Sequence, residues 1–149
     1  MALLQTADSP HFHAWATEFA DSVANTYRPD CIILFGSVAR GEQTRSIDID
    51  LIVIGGELPA NQSERFRALM GLRPRFAPIQ VQSFTHAGWN QMLSEQHVTV
   101  LESLHDGIPL HGQALFKRWR RQFKRWEQHG LCRDTCAWVL PPVCSKMEA

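Results

Sequence analysis

An α/β fold, with a small mixed β-sheet flanked by helices, is what the 149-residue sequence predicts, and three observations carry it. Two short apolar runs, Cys31-Ile32-Ile33-Leu34-Phe35 and Leu51-Ile52-Val53-Ile54, are rich in branched residues and closed by glycine, as buried strands are. With the second strand opening at Ile47, only about eleven residues connect the two strands, too few for a long crossover helix, so they are expected to be neighbours joined by a turn and a one-turn helix. Helical periodicity brackets the pair on both sides.

Taken in order, Ser9-Pro10 reads as a helix start, with Ser as N-cap and Pro at the first helical position. Phe12, Trp15, Phe19, Val23 and Tyr27 then recur at steps of three and four. Arg28-Pro29-Asp30 ends that helix ahead of the first strand, 31–35, and the second strand, 47–54, stops at Gly55-Gly56. A helix is expected over 63–72 on Phe66, Leu69 and Met70. A third strand follows over 78–84, with Ile79, Val81 and Ser83 on one face and Gln80, Gln82 and Phe84 on the other. Thr85 caps a short helix through Leu93, and residues 97–105 form another that ends at Asp106-Gly107 before the extended Ile108-Pro109-Leu110. Residues 113–129 carry Leu115, Phe116, Trp119, Phe123 and Trp126 on one side and a basic cluster on the other, a strongly amphipathic helix. The tail from Arg133, which includes Trp138-Val139-Leu140-Pro141-Pro142, reads as an extended segment able to lie back on the domain.

At this length one domain is expected over 1–149, with a core of about 30–112 and a C-terminal extension of about 113–149. A composition of 44% hydrophobic and 20% charged residues is that of a soluble globular chain, and no apolar run approaches the roughly 18 residues of a membrane span. The first ten residues carry no Lys or Arg, unlike a secretory signal, so a cytoplasmic location is expected. Fifteen basic residues balance fifteen acidic ones, yet Lys117, Arg118, Arg120, Arg121, Lys124 and Arg125 crowd into one helix, leaving the rest of the chain net negative. That split excludes a coat of positive charge for gripping duplex DNA and leaves one basic face. Such a face is ordinarily solvated, and its functional alternatives are an acidic partner or an RNA acceptor. The aromatic stripe behind it would become a dimer or partner surface only if wider than the sheet can cover.

The chemistry is concentrated in residues 34–54, LFGSVARGEQTRSIDIDLIVI. A buried strand delivers Gly36-Ser37 at its end, and the next strand presents Asp48 and Asp50 on one face with Ile49 turned into the core. Two adjacent carboxylates repel each other unless a cation sits between them, and hard oxygen ligands favour magnesium or manganese. Gly36 permits close backbone approach, Ser37 and the turn amides can hold phosphate oxygens, and Arg40 and Arg45 are placed to meet an anionic chain. A phosphate cradle facing a metal-binding carboxylate pair suits attack on the α-phosphate of a nucleoside triphosphate.

The order Gly36-Ser37, Ala39-Arg40-Gly41-Glu42, then Asp48-Ile49-Asp50-Leu51 resembles the signature of the DNA polymerase beta superfamily, and in particular its minimal nucleotidyltransferases. The resemblance is close over residues 30–55 and looser out to Gly112. It implies a polymerase-beta-like fold and metal-dependent transfer of a nucleoside monophosphate, AMP from ATP, to a hydroxyl of an acceptor. It also implies Asp48 and Asp50 as catalytic metal ligands, and Gly36 and Ser37 on the triphosphate. Many such proteins act as antitoxins beside a small helical HEPN-type ribonuclease. A macromolecular acceptor is expected, since related enzymes that modify small molecules usually add a second domain for the acceptor.

Two departures stand out. Family members usually carry a third carboxylate on the next strand, where this chain has Gln80 or, less fittingly, Gln82, and Ile47 replaces the Ser that often precedes the first Asp. A glutamine can neither serve as a base nor cancel cationic charge. Glu57 or Glu102 could substitute, two carboxylates could suffice at a reduced rate, or catalysis could be lost with binding retained, which would leave a module that neutralises a partner by contact. Elsewhere, Cys31 reads as a small buried hydrophobe, and Cys132, Cys136, Cys144 and His129 depart from zinc-ligand spacings and read as reduced thiols and a lone histidine. The seven histidines are spread singly, without a metal-ligand spacing to a carboxylate. An active but slow transferase is the expectation. Gln80→Asp should then raise turnover, by up to roughly a hundredfold where the new carboxylate serves as base; in a transfer assay, an unchanged or lower rate would place the third ligand elsewhere.

Overall fold

The computed structural model describes residues 2–41, 48–133 and 137–140, with side chains from residue 12 onward. Its elements are α1 (Ala2–Tyr27), β1 (Cys31–Phe35), β2 (Ile49–Ile54), α2 (Gln62–Met70), β3 (Ile79–Phe84), α3 (His86–Ser94), α4 (Val98–Asp106), β4 (Ile108–His111), α5 (Gln113–Gln128), β5 (Cys132–Arg133) and β6 (Trp138–Val139). The main sheet has the order β3-β2-β1-β4. β1 runs antiparallel to both β2 and β4, while β2 and β3 are parallel, so the sheet is mixed as the short first connection requires.

Both faces of the sheet are covered, which is why β1 and β2 read as continuous apolar runs rather than as alternating ones. On one face Ile32, Leu34, Ile49, Leu51 and Val53 pack against Ala16, Phe19, Ala20 and Val23 of α1 and Leu69 of α2. On the other, Cys31, Ile33, Ile52 and Ile54 meet Trp89 of α3, Leu101 and Leu104 of α4, and the stripe Phe116, Trp119, Phe123 and Trp126 of α5. Each fully buried aliphatic or aromatic side chain contributes about 1.5–3 kcal/mol, so the two layers hold β2 in place whatever its polar residues cost. The aromatic stripe of α5 is spent on the chain's own core.

Local signals place most boundaries. Asn61 caps α2 by accepting from the Glu64 amide, and Thr85 caps α3 by accepting from the Gly88 amide, both at 3.0 Å. The first helix departs from expectation: it begins at Ala2, and Pro10 lies inside it. Ala2, Leu3, Leu4 and Gln5 are strong helix formers, and they extend the helix upstream of the Ser9-Pro10 signal. Ile47, expected to open the second strand, lies outside the described residues, and β2 starts at Ile49.

Within the C-terminal segment, Trp138 lies back on the domain. The Trp138 indole N–H donates to Glu102 of α4 at 2.8 Å, and its ring stands edge-on to His105 and Phe123. Arg65, on the apolar side of α2, is buried with its guanidinium hydrogen-bonded to Ser83 and to the carbonyls of Pro59 and Ala60, tying the loop after β2 to β3. Among the described residues no helix is long and apolar enough to cross a membrane.

Gly112 makes the turn from β4 into α5 at φ +77°, where a Cβ would collide with the Asp30 carbonyl. Gly112→Ala should therefore destabilise the fold by about 1–3 kcal/mol in urea unfolding, with the secondary structure of the folded state unchanged.

Candidate active site

β1 and β2 bring the two halves of the motif together by register. Phe35, the last residue of β1, pairs with Asp50 of β2, so the turn that follows β1 starts beside the carboxylates. Gly36 enters that turn at φ +81°, and a Cβ there would lie 2.6 Å from the Asp50 Oδ2. Only glycine fits both the left-handed backbone and the space. The turn closes through the Arg40 amide to the Gly36 carbonyl and the Gly41 amide to the Val38 carbonyl, both at 3.1 Å, with Val38 buried beneath it. Ser37 sits half-buried in this turn.

Asp48 is exposed just ahead of β2, and Asp50 is partly buried at its start. Being two residues apart, they share the sheet face that α3, α4 and α5 cover, at the end where that layer stops. Burial is the main cause that raises the Asp50 pKa above the usual carboxylate range; the Asp48 charge adds to it, and Arg40 opposes it. Gln80 stands in register with Asp50 on the parallel strand β3, and its side chain is exposed. The position beside the pair is thus a neutral amide. Among the described residues no group of three or more His, Cys, Asp or Glu could hold a metal ion. Two carboxylates with oxygen donors suit a hard divalent cation that completes its shell with water and phosphate oxygens.

One carboxylate at this end of the sheet escaped the reading of the sequence, where Asp106 served only to end a helix. α4 runs towards the site and β4 returns along β1, so Asp106 comes to Arg40, with Oδ2 3.5 Å from a guanidinium nitrogen. Its other oxygen, Oδ1, is buried and has no hydrogen-bond partner among the described residues. A separation of 66 residues hides the pair from any local pattern. Arg40 thereby lies between Asp50, whose charge it offsets, and Asp106.

The two substitutes named for the third carboxylate are not at the site. The Glu57 amide bonds the Tyr27 carbonyl at the opposite end of the sheet and its carboxylate faces Arg28, while Glu102 accepts from Trp138 and pairs with Arg133. Arg45 lies outside the described residues, as do Cys136 and Cys144. Cys31 is buried and its thiol is pushed up to about 12 by that burial, so it is no nucleophile. One histidine does meet a carboxylate, His86 Nδ1 at 3.1 Å from Asp30, but at the far end of the sheet.

Phe76 is the other feature of the near end. It belongs to the loop entering β3, where the Pro78 carbonyl accepts from the Ile49 amide between the two aspartates. It holds φ +66°, a conformation that bulky residues rarely adopt, with 82% of its surface exposed and the Arg75 guanidinium 5.0 Å from its ring centre.

Comparison with known proteins follows the same lines. The sequence profile of the family described as Polymerase beta, Nucleotidyltransferase matches residues 19–98, more than half of the chain. A search of curated proteins finds no match. Among solved structures, a toxin–antitoxin crystallised with AMP-PNP superposes with a TM-score of 0.50 at 19% identity, covering 75% of this chain and 86% of its own. A mutant of the toxin–antitoxin MntA-HpeT does so with a TM-score of 0.50 at 18% identity, covering 74% and 84%. At these identities the likeness is one of fold.

Because the folded-state pKa of Asp50 is raised, its contribution to stability is complete at low pH and is lost as pH rises through that pKa. Asp50→Asn should therefore raise the melting temperature at pH 7, and the gain should vanish well below about pH 4, where Asp50 is protonated in the folded and the unfolded chain alike. Thermal unfolding across pH checks this; equal melting temperatures at neutral pH would show that Asp50 is not strained.

Proposed function

Since the chain belongs to the polymerase beta nucleotidyltransferase family, we propose that it transfers AMP from ATP to a hydroxyl of a macromolecular acceptor, as the antitoxin of a toxin pair whose partner is a small helical HEPN-type protein. The observation that carries the transferase reading is the register that sets the Gly36 turn against the Asp48 and Asp50 carboxylates. The antitoxin reading draws on the two toxin–antitoxin structures of similar fold, and ATP on the one crystallised with AMP-PNP.

In this reading the amides at the start of the Gly36 turn, the Ser37 hydroxyl and Arg40 hold the triphosphate, with Asp106 keeping the Arg40 guanidinium at the carboxylate pair. Asp48 and Asp50 would hold magnesium or manganese, which when bound supplies a Lewis acid for the phosphates and the attacking oxygen. The acceptor oxygen bonds to the α-phosphorus, the bond from the α-phosphorus to the bridging oxygen breaks, and pyrophosphate leaves. With pyrophosphate held at the β1 turn, in-line attack brings the acceptor from the β3 side, where Gln80 and Phe76 stand. Gln80 cannot take the hydroxyl proton, so water does, and the reaction is slow. Phe76 and Arg75 give that side an exposed ring and a cation with which to seat the acceptor.

Neutral Gln80 is also the observation that favours a second reading, a degenerate transferase that silences its partner by contact. Transfer of label from α-phosphate-labelled ATP into the proteins and RNA of a host lysate, with magnesium or manganese, separates the two. Label that appears with the intact chain and falls to background with Asp48→Asn/Asp50→Asn establishes the transferase and its acceptor. Bound ATP without label selects the contact inhibitor. In the first case Phe76→Ala should lower labelling by about tenfold, the scale of 1.4 kcal/mol, and leave ATP binding by calorimetry unchanged; a parallel loss of ATP binding would move Phe76 to the nucleotide side.

A further inference from the structure

Folding divides the faces of α5 unevenly. Its aromatic stripe is buried, and part of its basic side opens onto a groove of about 720 Å³ shared with α3. Arg118, Arg121, Lys124 and Arg125 line this groove, and among the described residues no Asp or Glu does. Lys124 has a partner in Glu127 at 3.7 Å, and Arg125 donates to the Gln122 side chain, whereas Arg118 and Arg121 are exposed with no ion-pair partner among the described residues. The cations span eight positions, about two helical turns and roughly 10 Å. In a chain of zero net charge, whose residues outside this cluster are net negative, such a concentration is not bulk compensation.

The chemistry of the lining decides among anionic partners. Protein partners are held chiefly by large side chains seated in deep apolar pockets, and the apolar side chains that line this groove are half-buried Leu93 and Trp119, the latter 6% exposed and packed on Trp89 beneath the surface. The same burial removes it as a platform for stacking bases. What remains is positive charge for phosphates, together with the amides of Asn90 and Gln128, which can both donate to and accept from sugar hydroxyls. We propose that the groove between α3 and α5 binds single-stranded RNA along its phosphodiester backbone, without reading its sequence. The inference does not depend on the transferase reading, since the groove shares no residue with the carboxylate site.

Fluorescence anisotropy of a labelled twelve-nucleotide uridine strand with the intact chain tests it. Binding is expected with a dissociation constant of about 10⁻⁴–10⁻⁶ M and a log–log salt slope of about −2 to −3, the value for three to four phosphates neutralised on a single strand. Arg121→Glu should weaken binding at least tenfold, while Lys117→Glu, an equal charge change on the same helix outside the groove, should weaken it less than about threefold. Arg118→Gln/Arg121→Gln, milder at two exposed positions, should reproduce the loss with an unchanged melting temperature. The proposal is overturned by absence of binding, by equal effects of Arg121→Glu and Lys117→Glu, by equal affinity for the DNA strand of the same sequence, or by polyglutamate of matched charge binding as tightly.

Discussion

Phe35 lies opposite Asp50 because β1 and β2 pair antiparallel in one register, and the site hangs on that pairing. A slip by one residue would turn the aspartates to the other face of the sheet and move Asp50 away from the backbone of Gly36. The register is held by burial on both faces, since Ile52 and Ile54 must face the α3–α5 layer while Leu51 and Val53 face α1 and α2. Hydrophobic packing of about 1.5–3 kcal/mol per side chain thus fixes two carboxylates where their mutual repulsion alone would not leave them. The strain at Asp50 is local and the packing is distributed, so the packing wins.

Charge is sorted by the ends of the sheet. At the near end Arg40 faces both Asp50, whose charge it offsets, and Asp106, while Asp48 lies beside Asp50. At the far end Asp30 meets His86, and Glu57 meets Arg28, pairs that close turns rather than build a site. The unpartnered buried oxygen of Asp106 is the kind of expense that folded chains keep at functional positions. It stands on the β1 side of the pair, whereas the neutral Gln80 stands on the β3 side, so Asp106 supports Arg40 and does not replace a carboxylate beside Asp50.

The basic helix shows how one element serves two ends. Phe116, Trp119, Phe123 and Trp126 complete the core, which leaves that stripe no role as a dimer surface. Its cations face outward for the same geometric reason, a period of 3.6 residues that separates the two sets.

How much was legible beforehand follows from the range of the interactions involved. The strands, the mixed sheet, the cap at Thr85 and the pairing of Gly36-Ser37 with Asp48 and Asp50 could be read from sequence, because periodicity, capping and a connection of about eleven residues are local constraints. The start of α1 could not, since strong helix formers upstream override a Ser-Pro signal. The Arg40–Asp106 pair, the return of Trp138 to Glu102 and the burial of Arg65 could not either. Each joins residues whose meeting depends on how layers pack across the sheet, and no pattern along the chain encodes that distance. The sequence by itself determined the fold class and the carboxylate motif; tertiary packing decided which other charges that motif faces, because a charge acts through space over a few ångströms and not through its position in the chain.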